Sequence, residues 1–292
     1  MLQREDGSVI RDLDRRFIDS FRLAAVQAGA VARHLQGKIK PESKPGPSAE
    51  AEALTAVDLA TQDVILHLLH RDLPDVVMDA EEETETLALF PGVEDPASDR
   101  PLVVVDPVDG TLNYSRGSSD YAVMGGLLQG GRFRAALIHF PVADAVYWAI
   151  RGAGCFTDGP AGPRRLRASG GERRIFVDPR TPGAWRVALA ARFGAAELCR
   201  CSAVDASAPA TGRARGAVSA GGTDRRRAIG LFLSLEAGAA VRLGGQRWDG
   251  EDPALLADSG GLGLVAEDDA LADELIATID AAGGLNATTA GW

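Results

Sequence analysis

The sequence predicts an α+β first half followed by an α/β second half, divided at residues 1–151 and 152–292. Three observations lead there. Two stretches with helical apolar spacing come first. Short apolar runs separated by Gly, Pro and Asp follow. Beyond a Gly-, Pro- and Arg-rich segment at 152–171, strand-like and helix-like segments alternate.

Phe17, Phe21, Ala24, Ala25, Ala28 and Val31 keep helical spacing and predict a helix over 17–35. Pro41, Pro45, Gly46 and Pro47 break the chain across 38–50. A second helix over 55–69 carries Val57, Ile65, Leu68 and Leu69 on its apolar side, and Pro74 stops it. Residues 76–78 read as a short buried strand running into acids, and 102–105 as a second one ending at Asp106. Residues 121–128, 134–140 and 146–150 read as one antiparallel sheet turned at Gly130-Gly131 and at 141–144. The second half reads as strand 174–178, helix 182–193, a short helix near 203–211, helix 226–237, strands 239–243 and 262–266, and helix 268–281.

Composition narrows the function. The 292 residues hold 31 Lys and Arg against 41 Asp and Glu, a net charge of −10. Such a chain is a poor general binder of nucleic-acid polymers. The longest apolar stretch, 229–241, contains Ser234, Glu236 and two glycines and is too broken to span a bilayer. The first six residues carry acids and no apolar leader, so a cytoplasmic location is expected. Cys155, Cys199 and Cys201 make no disulfide framework and read as reduced thiols. His34, His67, His70 and His139 lack metal-ligand spacing. There is no nucleophile elbow, Gly-x-Gly-x-x-Gly after a strand, or Walker loop.

The strongest chemical signal is Asp106-Pro107-Val108-Asp109-Gly110-Thr111. A hydrophobic strand delivers Asp106 to its end, Pro107 turns the chain, and Asp109 follows three residues on, so both carboxylates can face one point. Gly110 permits close backbone approach and Thr111 adds a hydroxyl. If a helix starts there, its free N–H groups make an anion site. Carboxylates, a backbone carbonyl and an anion cradle suit Mg²⁺ with a substrate phosphate. Read alone, the spacing also suits a plain Asp-capped turn. Five of the seven residues from Asp79 to Glu85 are acidic. That density reads either as a solvated loop or as repulsion relieved by a cation.

Taken together, Thr55-Ala-Val-Asp58, Glu81-Glu82 and Asp106-Pro-Val-Asp-Gly-Thr-Leu-Asn-Tyr114 resemble the inositol monophosphatase family of Mg²⁺-dependent, lithium-sensitive phosphatases. Ile138-His-Phe-Pro141, Gly152-Ala-Gly-Cys-Phe156, Glu236-Ala-Gly238 and the ending 263–271 add to the likeness, which covers about residues 17–281. The resemblance implies an inositol monophosphatase-like α-β-α-β-α layered sandwich. It implies that Glu81, Asp106 and the Val108 carbonyl hold a first metal, and that Asp106 and Asp109 share a second. Gly110 and Thr111 N–H groups would receive the phosphate. Asp58, Thr111 and Glu81 are the implied catalytic residues, Asp58 and Thr111 orienting the water that attacks phosphorus in line. Two or three Mg²⁺ ions per site and a homodimer are the family's habit, although no exposed apolar stripe announces a dimer.

Departures from the family pattern concern the second metal and the substrate. The family completes its second site with a Trp-Asp pair opening the helix that ends in Glu-Ala-Gly. Trp248-Asp249 falls after Glu236-Ala-Gly238 and is set aside. Counting without gaps puts Arg226 on the expected Asp and Asp224 two residues early. Two residues on a helix is about 200°, so Asp224 ligates only if the helix start is remodelled. Asp224 otherwise suits an N-cap. Three arginines in a first helical turn oppose the helix dipole, which points to an anionic partner or to pairing with surface acids. Arg226 is expected to replace the charge of the second cation. Arg200 stands where the family has a small residue, and Ser219 where inositol enzymes carry a Glu. Arg200 and the Arg225-Arg226-Arg227 run suit a more anionic substrate, such as a bisphosphate nucleotide or a phosphorylated acid.

The sequence thus leads to a Mg²⁺-dependent phosphomonoesterase acting on a small phosphorylated metabolite, with neither nucleic-acid nor membrane partner. Two alternatives stay open: a weakly active or inactive member that binds a phosphorylated ligand or partner, and a 3′(2′),5′-bisphosphate nucleotidase.

Overall fold

The computed structural model describes residues 11–38, 47–92, 99–168, 174–194, 196–256 and 261–284. Helix α1 (Asp12–Leu35) and helix α2 (Pro47–Asp72) both start upstream of the apolar residues that announce them. Asp12 and Asp14 in the first turn of α1 suit a helix N-terminus. Pro47 opens α2, where a missing N–H breaks no helical bond. Most of the break expected over 38–50 falls on 39–46, outside the described residues.

Strand β1 (Val77–Asp79) pairs in parallel with β2 (Leu102–Asp109), with Met78 beside Val103 and Asp79 beside Val104. The second strand runs past the expected end, through Pro107 to Asp109. Its pairing is irregular between Asp106 and Asp109, because Pro107 has no N–H to give the ladder. The short helix α3 (Thr111–Ser115) follows. An antiparallel meander of β3 (Ala122–Gln129), β4 (Arg132–Phe140), β5 (Ala145–Ile150), β6 (Gly154–Thr157) and β7 (Arg164–Leu166) completes a seven-stranded sheet in sequence order. The last two strands lie in 152–171, the segment read as a boundary. Its glycines and prolines are tight turns of the meander, so the chain leaves the first sheet after Leu166 rather than at residue 151.

Strand β8 (Ile175–Val177), helix α4 (Gly183–Phe193) and strand β9 (Ala196–Leu198) begin the second half. The short helix expected near 203–211 is two, α5 (Ser202–Ala206) and α6 (Ala208–Thr211). Strand β10 (Gly216–Ser219), helix α7 (Arg225–Glu236), strands β11 (Ala240–Leu243), β12 (Gln246–Arg247) and β13 (Gly263–Ala266), and helix α8 (Asp269–Ala281) follow. The second sheet has the order β12-β11-β13-β10-β8-β9, with β9, β8 and β10 parallel.

The two sheets and three helical layers stack as the expected five-layer α-β-α-β-α sandwich. Phe17, Phe21, Ala24 and Ala28 of α1 and Ile65, Leu66 and Leu69 of α2 pack with Val103, Val105, Leu127 and Leu137 on one face of the first sheet. The alternate residues Val104, Met124, Ala136 and Ile138 face Ala203, Val204, Ala228, Ile229 and Phe232 of the central helices. That core continues to Ala217, Val241 and Val265 of the second sheet. Trp185 and Leu189 of α4 and Leu271 and Leu275 of α8 cover the outer face. A sheet buried on both faces explains why its strands read as apolar runs rather than clean alternation. Phe21 lies so close to β3 that a Cβ on Gly125 would fall 2.3 Å from its ring.

Candidate active site

The carboxyl ends of β1 and β2 lie side by side. The chain leaves β1 into Ala80-Glu81-Glu82, and β2 ends in Asp106, Val108 and Asp109. From the other sheet, the ends of the parallel strands β8, β9 and β10 present Asp178–Arg180, Arg200 and Gly221–Thr223. Parallel strands bring their carboxyl ends to one edge of a sheet, a common place for a site in α/β folds. The two edges and the starts of α5 and α7 enclose a cleft of about 680 Å³. Glu81, Asp106, Asp109, Asp224, Arg180, Arg200, Arg226 and Arg227 are among its lining residues.

The Glu81–Glu82 turn is tied to α2. Gln62 donates from Nε2 to the Glu82 carbonyl at 2.6 Å and accepts from the Glu82 N–H at 2.9 Å. Asp58, on the same helix, is buried. Burial, with the charges of Glu81 and Glu82, pushes its pKa up to about 7. Glu81 is exposed to solvent in the cleft, yet the surrounding walls desolvate it enough to raise its pKa, while Arg226 pulls the other way. Asp106 is buried and held well above the usual carboxylate range, first by burial and then by the charges of Asp109 and Glu81, with Arg226 again opposing.

Gly110 takes φ +87°, and a Cβ there would lie 2.9 Å from the Asp120 carbonyl and 3.0 Å from Cys201 Cβ. Only glycine fits both the backbone and the space. Thr111 Oγ1 donates to the Val108 carbonyl at 3.1 Å. Val108, Gly110, Thr111 and Asp58 border the acidic turn without lining the cleft itself. Asp109 is held by α5: Ser202 Oγ donates to Oδ1 at 2.8 Å, and Cys201 Sγ and the Ala203 N–H donate to Oδ2 at 2.8 and 2.6 Å.

A hard divalent cation fits part of this arrangement. Asp106 Oδ1 is buried with no hydrogen-bond partner among the described residues. The Glu81 and Asp106 carboxyls lie within hydrogen-bonding reach of each other. Carboxylates so placed repel unless a proton or a cation comes between them, and oxygen donors of this kind suit Mg²⁺. Among the described residues no three His, Cys, Asp or Glu side chains form a ready metal cluster. Asp109 retains one lone pair, on Oδ1, beyond its three bonds to α5.

Asp224, a ligand for a second cation only if the helix start is remodelled, lines the cleft as the N-cap of α7, its Oδ1 accepting from the Arg227 N–H at 2.8 Å. Arg226 reaches Asp79 at 3.3 Å and lies near enough to Glu81 and Asp106 to lower both pKa values. Asp249, set aside from the sequence, pairs with Arg132 at 3.0 Å outside the cleft. Ser219 is buried on β10, where its hydroxyl accepts from the Gly221 N–H. Gln62, Arg180 and Asp205 escaped the sequence reading, as did the bond from Ser202 to Asp109; Asp205 is buried and meets Arg227 at 2.9 Å. Their partners are mostly distant in sequence, and their residue types carry no motif; only the Asp178-Pro-Arg180 spacing was within reach.

The sequence model of the inositol monophosphatase family matches residues 14–192. The chain is 34% identical over 179 residues to inositol-1-monophosphatase ImpA of Mycolicibacterium smegmatis, covering 56% of this chain and 64% of that protein. It is 27% identical over 145 residues to the fructose-1,6-bisphosphatase/inositol-1-monophosphatase of Aquifex aeolicus, covering 50% and 51%. The chain spans about half the length of the curated relatives it matches. Among solved structures, the inositol monophosphatase of Anabaena superposes with a TM-score of 0.70 at 22% identity, covering 91% of this chain and 96% of that one. Mycobacterium tuberculosis SuhB superposes at 0.69 and 23% identity, covering 93% and 98%. At that identity the structures speak for the fold. The sequence match across more than half of the chain goes further, and with the Asp106–Thr111 turn and its neighbouring acids in place, the chain belongs to the inositol monophosphatase family.

Proposed function

We propose that the chain is a phosphomonoesterase that uses Mg²⁺ and hydrolyses a small phosphorylated metabolite to an alcohol and inorganic phosphate. What carries this reading is the crowding of Glu81 against the buried Asp106 beside the Asp106–Thr111 turn, inside a polar cleft. A hydrophobic pocket would make such crowding costly, whereas a phosphate site built around a cation calls for it.

Glu81 and Asp106 would hold the cation, with the Val108 carbonyl and Asp109 Oδ1 as further oxygen donors. When bound, the cation supplies positive charge to the phosphoryl oxygens and makes water a better nucleophile. Thr111 spends its proton on Val108, so its lone pairs are free to accept from a water. Asp58, with a pKa near 7, is suited to take a proton from that water near neutral pH. The Gly110 and Thr111 N–H groups would orient the phosphate. Arg226 brings a fixed positive charge beside the acidic pair, where a second cation would otherwise be called for.

The test is phosphate release from a panel of sugar, inositol and nucleotide phosphates, with Mg²⁺ and with EDTA. Turnover that requires Mg²⁺ and is lost in Asp106→Asn is the expected result. The placing of Arg226 beside the acids favours a second reading, a weakly active member that binds a phosphorylated ligand. Binding without turnover across the panel would favour that second reading, and preferential turnover of adenosine 3′,5′-bisphosphate the nucleotidase. The reading includes a cytoplasmic location and a homodimer, the latter checked by sedimentation.

A further inference from the structure

The cleft wall opposite the acids carries an arginine, Arg200, that the reaction above does not use. Two other arginines of that wall are neutralised. Arg180 forks onto Asp178 through Nε and Nη2 at 2.9 and 3.0 Å, and Arg227 holds Asp205. A third, Arg226, contacts Asp79 at 3.3 Å and faces the acids Glu81 and Asp106. Arg200 makes no hydrogen bond or ion pair among the described residues.

Thr223 also lines the cleft. It is 6% exposed, and its hydroxyl is buried with no partner among the described residues. Buried donors are ordinarily paired. Arg200 and Thr223 lie just beyond the carboxyl ends of β9 and β10. The acids Glu81, Asp106 and Asp109 come from the first sheet. The opposite wall carries Arg180, Arg200, Arg226 and Arg227 against Asp178, Asp205 and Asp224, and among the described residues Arg200 has no acid paired to it.

Building on the phosphomonoesterase reading, we propose that Arg200, with Thr223 on the same wall, receives a second anionic group on the alcohol portion of the substrate. The substrate class is then phosphorylated acids or bisphosphates rather than neutral polyol monophosphates. A guanidinium fork matches carboxylate and phosphate alike, so the shared chemistry is an oxyanion two-toothed enough to accept it. Arg200 is a specificity residue in this scheme and takes no part in breaking the phosphoester bond.

Two matched pairs test the idea and separate the two anions. Glycerol 2-phosphate and 2-phosphoglycerate differ by a carboxylate, and adenosine 2′-monophosphate and adenosine 2′,5′-bisphosphate by a phosphate. With the full chain and saturating Mg²⁺, kcat/KM is expected to favour the charged member of at least one pair about tenfold, the size of a charge-assisted contact. Arg200→Gln should erase the preference chiefly by raising KM for the charged member, and Arg200→Lys should recover part of it. Arg200 is exposed, so neither change threatens folding. Equal kcat/KM within both pairs, or a preference untouched by Arg200→Gln, overturns the inference. Should none of the four compounds be hydrolysed, the wider panel above decides the phosphomonoesterase reading separately. Calorimetric binding of the same pairs to both proteins then decides the inference: tighter binding of the charged member, lost in Arg200→Gln, upholds it, and equal binding refutes it.

Discussion

Asp224 accepts a hydrogen bond of 2.8 Å from the backbone N–H of Arg227 and so caps the helix to which both belong. A carboxylate engaged in this way has a structural task even though it borders the cleft. Asp224→Ala is expected to cost about 1 kcal/mol in urea unfolding. Asp224→Asn, which keeps the cap, should cost little. Mg²⁺ affinity measured by calorimetry should change less than threefold in both. A tenfold loss in Asp224→Asn would make the residue a ligand.

Arg226 lies beside Glu81 and Asp106 and lowers the pKa of each. One divalent cation per chain is therefore expected by equilibrium dialysis. Arg226→Asp removes one positive charge and adds a negative one at the same place, and should raise the number to two. An unchanged number in the variant would show that the guanidinium does not stand in for a cation.

The Asp205–Arg227 pair meets at 2.9 Å with both residues buried, 1% and 5% exposed. Burial holds the Asp205 pKa up at about 6 despite its partner. Removing the carboxylate strands a guanidinium between the central helices and the second sheet. Asp205→Ala should destabilise the chain by about 3–5 kcal/mol, read from chemical denaturation at pH 7. A loss under 1 kcal/mol would mean that water reaches Arg227 and replaces the acid.

Asp58 titrates near pH 7 in the folded chain, against 3.8 for its ordinary value. Below about pH 4 both folded and unfolded chains keep the proton. Between about pH 4 and 7 the unfolded chain releases it and the folded chain does not, so stability falls as pH rises, and the cost is complete above 7. In EDTA, the Tm of Asp58→Asn should rise relative to the parent across that window and then level off. A constant difference in Tm from pH 4 to 8 would count against a raised Asp58.

Much of this was legible because it is local. Asp106, Val108, Asp109, Gly110 and Thr111 occupy one turn, and the requirement for glycine at φ +87° follows from that turn. Phe17, Phe21, Ala24 and Ala28 announce the buried face of α1 by spacing alone. Asp249 could be set aside from its order along the chain, and its pairing with Arg132 agrees. The strands β9, β10 and β12, two to four residues long, are too short to carry a periodic signal. The grip of Ser202 and Ala203 on Asp109 joins residues more than ninety positions apart and leaves no trace in either segment.

By itself the sequence narrowed the chemistry, since carboxylate, glycine and threonine at those spacings suit a cation with a phosphate or a capped turn, and the neighbouring motifs carried the family resemblance. Apolar periodicity announced an α+β half followed by an α/β half, while the layered sandwich was implied by the family resemblance. Only the tertiary structure decided how the charges are spent. Arg225, Arg226 and Arg227 are adjacent and chemically alike. Yet Arg225 is consumed by Asp252 and Asp79, Arg227 by Asp205, and Arg226 is left facing the acids of the cleft. An ion pair depends on which partner the fold brings within about 3 Å, and these partners come from both sheets and from distant loops.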